Sequence, residues 1–246
     1  MFPPEFPASS KELERFAAAT KAVSPVHHAN LVTIVGAGRT GTHCWLAREL
    51  VEGETAAAVV ARVAGGGKSS WKQGLRMGVH LARALTCLHQ NHLAHAHITP
   101  YNVLIRTADQ VYKLTDLGVV KAFQGSQLYK SVREKKRLAD LPYLAPEQNV
   151  IGAAHDEPED LYAVGGVIYA FITGQPPFNG DSPQEILDNI QQGNLVNPSI
   201  YNKKIPGDVE EVILKLLASS PKDRYRTPAA LLEDLKPLAA SYNVEV

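Results

Sequence analysis

Between His92 and Asp116 the chain gathers side chains that could carry acid–base or metal chemistry. The run His95-Ala96-His97-Ile98-Thr99-Pro100-Tyr101-Asn102 is followed by Asp116, 19 residues after His97. An imidazole with an ordinary pKa near 6.5 can accept a proton at neutral pH, so His97 is a candidate base. A zinc site built on His92, His95 and His97 lacks the cysteine or glutamate cluster that would complete it. His95 instead reads as a packed core imidazole.

Two glycine-rich runs suggest phosphate binding. VTIVGAGRTG followed by THCWLARELVEG has the look of a strand, a G-x-G-x-x-G turn and a helix, the arrangement that presents backbone amides to a dinucleotide. About 20 residues on, where an acid should meet the ribose, stand Val60, Ala61 and Arg62, so only an NADP-type site with Arg62 survives. GGGKSS matches the end of a P-loop at Gly67, Lys68 and Ser69, but Arg62 occupies the place of the first glycine. It reads as a flexible loop.

The elements that must position these residues are legible in outline. Ser9 and Glu12 have capping-box spacing, and Leu13, Phe16, Thr20 and Val23 recur at helical intervals up to Pro25, which predicts a helix over 10–23. Leu31 to Val35 and His43 to Leu46 read as two strands of a hairpin, with GAGRTG between them. A periodic helix spans about 70–90, and β-like runs at Asn102 to Arg106 and Tyr112 to Thr115 flank TADQ. From Glu159 the pattern is helical. The fold class expected is α+β, a small N-terminal portion followed by a larger helical one.

Composition bounds the function. With 246 residues, 45% hydrophobic and 20% charged, the chain can bury a full-sized core. Its 25 basic and 25 acidic residues cancel, which argues against a global attraction to nucleic acid or lipid. No stretch is long and apolar enough for a membrane span, and MFPPEFPASS lacks the features of a signal peptide. Cys44 and Cys87 form no C-x-x-C pair, so a reducing, cytoplasmic setting is expected.

In order and spacing the landmarks from His95 onward resemble the protein kinase family, in its bacterial Ser/Thr branch. His95 to Leu104 resembles H-R-D-[LI]-K-P-x-N-V-L, Asp116-Leu117-Gly118 the D-F-G motif, and Ala145-Pro146-Glu147 the A-P-E motif. Asp160-Leu161-Tyr162-Ala163-Val164-Gly165 with TGQPPF, then Pro221 to Arg224, resemble later landmarks, and His28-Ala29-Asn30-Leu31-Val32 resembles the H-P-N-I-V after helix αC. The likeness covers about residues 10–238. It implies a single kinase-like domain over 1–246, with 1–54 a remnant small lobe and hinge (αC plus a short hairpin) and 55–240 a helical large lobe. It also implies structural roles for His95, Glu147, Asp160 and Arg224, the last pairing with Glu147.

The departures from the family pattern fall on the chemistry. The resemblance starts at αC, so the strands bearing the Gly-rich loop and the β3 lysine have no counterpart. Ala19 stands at the αC glutamate position, His97 at the catalytic aspartate, Thr99 at the assisting lysine, Ala96 at the arginine and Asp140 at the threonine before A-P-E. Only the magnesium positions Asn102 and Asp116 match. Arg48, Glu49 and Val51 fall at the gatekeeper and hinge, with Leu104 on the cleft floor, and Arg48 is expected to pair with Asp116, His97 with Asp140.

The reading is therefore a degenerate kinase-like domain, a pseudokinase that acts as a binding or regulatory scaffold with no cofactor. The alternatives are a Ser/Thr kinase that binds Mg-ATP with residual transfer and, more distantly, an NAD(P)-binding protein using GAGRTG. A two-stranded small-lobe sheet leaves open edges, to be covered by MFPPEFPASS, a second copy or a protein partner. The basic run YKSVREKKR, with Ser126, Tyr129 and Ser131 as candidate phosphosites, reads first as a solvated loop.

Overall fold

The computed structural model describes residues 2–3, 6–123, 126, 139–149 and 157–246. The first helix, α1 (Ser10–Val23), starts where the Ser9 hydroxyl accepts from the Glu12 amide at 3.3 Å, and the Glu12 carboxylate accepts from the Ala8 amide at 2.9 Å. Both bonds satisfy amides that the first turn leaves open. The helix buries Phe16, Ala19 and Val23 along one stripe.

Strands β1 (Ile34–Thr40) and β2 (His43–Arg48) form an antiparallel hairpin that turns at Gly41, φ 59°, and Thr42. GAGRTG is therefore mostly strand, not the connection between strands. Trp45 lies across β1, and a Cβ on Gly38 would come 2.7 Å from its ring, so glycine is required there by close approach. The residues after Gly41 form β2, with no helix N-terminus for a pyrophosphate, which overturns the NAD(P) reading.

A second sheet orders β3 (Gly53–Thr55), β4 (Val103–Arg106) and β5 (Tyr112–Leu114), all antiparallel. Leu31 bridges to Leu114, and Val32 and Asn30 exchange backbone bonds with it at 2.9 and 2.8 Å, so the base of the hairpin is sewn to β5. Around this sheet lie α2 (Ala56–Ala64), α3 (Trp71–Gln90), the short α4 (Val119–Phe123), α5 (Glu157–Thr173), α6 (Pro183–Gln192), α7 (Pro198–Tyr201), α8 (Gly207–Leu216) and α9 (Pro228–Ser241). From Glu159 to Thr173 every residue of α5 is buried, as expected for a helix surrounded by others. Helices α2, α3 and α8 pack against it, and α9 packs on α3.

Most buried side chains form one core. A smaller cluster unites Phe6, Phe16, Ala19, Cys44, Ala122 and Phe123. It draws the N-terminal segment, α1, β2 and α4 together. The rings of Phe2 and Phe6 lie 4.7 and 4.3 Å from that of Phe123, and the Phe2 amide donates to the Cys44 carbonyl at 2.9 Å. The segment thus occupies part of the outer edge of β2. The basic run over 129–137, Tyr129 and Ser131 included, lies outside the described residues; Ser126 is buried.

Candidate functional site

The loop from His95 to Asn102 is held from below by α5. Asp160, 1% exposed, accepts from the amides of His95 and Ala96, both at 2.8 Å, and meets His89 Nε2 at 3.1 Å. Ala96 sits at φ 64°, a region costly for a residue with a Cβ, and the two charge-assisted bonds hold it there. His95 is buried, and burial drives its pKa down. It is neutral, with Nε2 donating to the Thr115 carbonyl at 2.7 Å and Nδ1 accepting the His97 amide at 3.3 Å. One imidazole therefore ties the loop to the strand end that leads into Asp116.

At Pro100–Asn102 the chain makes a 3₁₀ turn before β4, which aims Asn102 back at the loop. The Asn102 side-chain nitrogen donates to the His97 carbonyl at 2.6 Å and lies 3.1 Å from His97 Nδ1. A carbonyl oxygen can only accept, which fixes the sense of that amide. The His97 lone pair on Nδ1 consequently faces an N–H, its proton is on Nε2, and Nε2 points at the Asp140 carboxylate at 3.2 Å. Both ring nitrogens are engaged, so no lone pair is left to take a proton from a substrate hydroxyl.

Thr99, 3% exposed, has its hydroxyl buried without a partner among the described residues. It supplies no cation beside His97. Asp116 takes a φ of 65° at the mouth of the cleft, and Arg48 from the end of β2 reaches it. The Arg48 guanidinium lies 2.6 Å from one Asp116 oxygen and donates to the Thr115 hydroxyl at 2.6 Å. A Cβ on Gly118 would come 3.0 Å from Val23, so α1 presses directly on the turn after Asp116. Ala19, buried on that face of α1, places a methyl there and no acid.

Glu49 turns the other way. Partial burial raises its pKa, but Lys113 and the Thr33 amide, which donates at 2.9 Å, prevail and hold the carboxyl below its ordinary value. Lys113 is 4% exposed, bonds the Glu49 carboxylate and donates to the Leu31 carbonyl at 3.1 Å. Leu50 is open to solvent, Val51 is half-buried, and Leu104 is half-buried in β4 opposite Thr55 and Lys113. Farther out, Arg224 grips Glu147 with two bonds of 2.6 and 2.9 Å, donates to Ala218 and Ser219 carbonyls, and stacks 4.6 Å over Tyr162.

The structure thus brings together His97, Asn102 and Asp140 in one group and Arg48 and Asp116 in another, joined through Thr115, which bonds to Arg48, His95 and Asn102, while Glu147 and Arg224 pair with each other. Sequence reasoning missed Lys113 and His89. The signal for Lys113 was a lone charge between apolar residues of a short strand whose three residues are all buried. As arranged, the residues at the magnesium positions do not fit a divalent cation. A guanidinium already occupies one carboxylate oxygen of Asp116, and a second cation beside it would be repelled. Among the described residues no cluster of three or more His, Cys, Asp or Glu is placed to hold a metal, and no helix is long and apolar enough to cross a membrane.

A family profile described as the protein kinase domain matches residues 6–235. The chain is 30% identical over 91% of its length to the serine/threonine-protein kinase PrkC of Bacillus subtilis and 29% identical over 90% to PknB of Mycobacterium tuberculosis. A probable serine/threonine-protein kinase of Clostridium perfringens is 28% identical over 98%. The chain spans about a third of these relatives, 33%, 35% and 34% of their lengths. Among solved structures it superposes on Rad53 in complex with AMP-PNP with a TM-score of 0.73 at 22% identity, covering 92% of this chain and 55% of that one. For a point mutant of the Mycobacterium tuberculosis PknI kinase domain the TM-score is 0.69 at 20% identity, covering 97% and 83%.

Proposed function

Because this chain belongs to the protein kinase domain family, we propose that it is a pseudokinase, a member that works by binding and not by phosphoryl transfer. The observation that carries this reading is the closed polar network of the cleft. His97 has both nitrogens engaged, Asp116 is neutralised by Arg48, and Thr99 brings no charge. Phosphoryl transfer depends on holding the nucleotide in line and neutralising developing charge. A cleft whose charges are spent on one another offers neither. Glu49, likewise, is spent on Lys113 and Thr33.

The chain's positive role in this reading is that of a scaffold for a protein partner or a second copy of itself. The small-lobe hairpin has two strands, and such a sheet is marginal by itself. Phe2 occupies one position on the β2 edge, and the rest of that edge, with Val35 70% exposed on β1, is the surface a partner would cover. Size-exclusion chromatography with light scattering tests self-association directly.

Nucleotide binding is the decisive test. A ligand that binds only the folded state raises the melting temperature by an amount set by RT ln(1 + [L]/Kd). Thermal melts with Mg-ATP, with ATP alone and with magnesium alone are expected to coincide with the melt of the free protein, and radiolabel transfer to a generic basic protein substrate is expected to stay at background. A saturable rise that requires both magnesium and ATP would sink the proposal and favour a nucleotide-binding kinase.

A further inference from the structure

A cavity of about 500 Å³ lies on α3, and it shares no lining residue with the cleft. Arg76, His80 and Arg83 line it from positions i, i+4 and i+7 of that helix, which places all three on one face. The cavity is within the range of small-molecule sites. Its wall is rich in donors. Arg83 makes no hydrogen bond or ion pair among the described residues; Arg76 makes only one bond, to the Asp109 carbonyl at 3.2 Å, and its Nε is buried without a partner.

His80 adds a third donor. Its Nδ1 accepts the Tyr112 amide at 3.2 Å, so the proton of the neutral ring must sit on Nε2, which has no protein partner among the described residues. Burial, reinforced by Arg76 and Arg83, lowers its pKa to about 4 and keeps the ring neutral near pH 7. Acceptors are few. The Asp109 carboxylate is spent on Arg106 through bonds of 2.9 and 2.6 Å. Glu245 reaches the rim with a negative charge of its own, yet it forms no ion pair with the arginines among the described residues.

We propose that this cavity is a binding site for a phosphate monoester, held by Arg76, Arg83 and the Nε2 proton of His80. Three donor-bearing residues on one helix face, all lining one cavity, suit a tetrahedral oxyanion, and guanidinium groups match phosphate oxygens in pairs. The volume exceeds that of a bare phosphate, so the monoester is carried on a larger body, either a small molecule or a phosphorylated side chain. Both sources present the same chemistry to the arginines.

Isothermal titration of the full chain at fixed ionic strength tests the site with inorganic phosphate, O-phosphoserine, a short phosphoserine peptide and its unphosphorylated twin. Saturable binding of the phosphorylated probes is expected, with no binding of the unphosphorylated peptide. Arg83→Gln removes a group with no structural bonds and should weaken binding roughly tenfold or more. Glu245→Gln should tighten it, and Lys222→Gln, exposed elsewhere, should leave it unchanged. O-phosphoserine binding as tightly as the peptide identifies a small-molecule ligand; a tighter peptide identifies a protein-borne one. The site is refuted if no phosphorylated probe saturates, or if Arg83→Gln binds as well as the unaltered chain.

Discussion

Asp160 carries more of the cleft than any residue that lines it. Its two oxygens hold consecutive amides of the 95–97 loop, and one of them also meets His89. Asp160→Asn turns one acceptor into a donor facing an amide, in a site that is 1% exposed. It is expected to cost about 3 kcal/mol, since a buried group is left facing its own kind. Urea denaturation should show a lower midpoint with an unchanged slope. Much at this scale was readable in advance: the resemblance to the protein kinase family implied that Arg48 would meet Asp116 and His97 would meet Asp140, and both pairs are present. What spacing cannot give is the sense of the Asn102 amide, which decides which His97 nitrogen keeps its lone pair. Lys113 was hidden because a strand is read by alternation, and β5 buries three residues in succession.

Elements differ in how far local sequence determines them. Helix α1 was plain from its capping box and periodicity, and α3 from periodicity, because a helix is stabilised by neighbours three and four residues away. The glycines of β1 misled for a physical reason. Glycine normally marks a turn, but in β1 it makes room for the Trp45 ring, a partner set by pairing across the hairpin. The aromatic cluster is likewise non-local, joining Phe2 and Phe6 to Phe16 and Phe123. Phe6 is fully buried, so Phe6→Ala should cost about 3 kcal/mol by leaving a cavity that α1 and α4 cannot both fill. Hydrogen exchange should quicken in α1 and β2 while α3 and α5 keep their protection. Uniform loss of protection would mean that the N-terminal cluster and the large core unfold as one unit.

At the scale of the whole molecule the buried histidines set the acid limit. His80 is lowered to about 4 and His95 is lowered too, both chiefly by burial. The unfolded chain, with ordinary imidazoles near 6.5, binds more protons between those values, so stability is full above about pH 6.5 and falls as the pH drops toward 4. Measured by chemical denaturation, the loss of stability from pH 7 to pH 4.5 should be about 2 kcal/mol smaller in His80→Gln than in the unaltered chain. An equal loss in both would remove His80 from the account. The dyad of His97 and Asp140 has a consequence of another kind. An aspartate introduced at 97 alone would face the Asp140 carboxylate, setting two negative charges against each other. Replacing Asp140 first removes that repulsion, so the two positions are coupled and the effect of an acidic residue at 97 depends on what stands at 140.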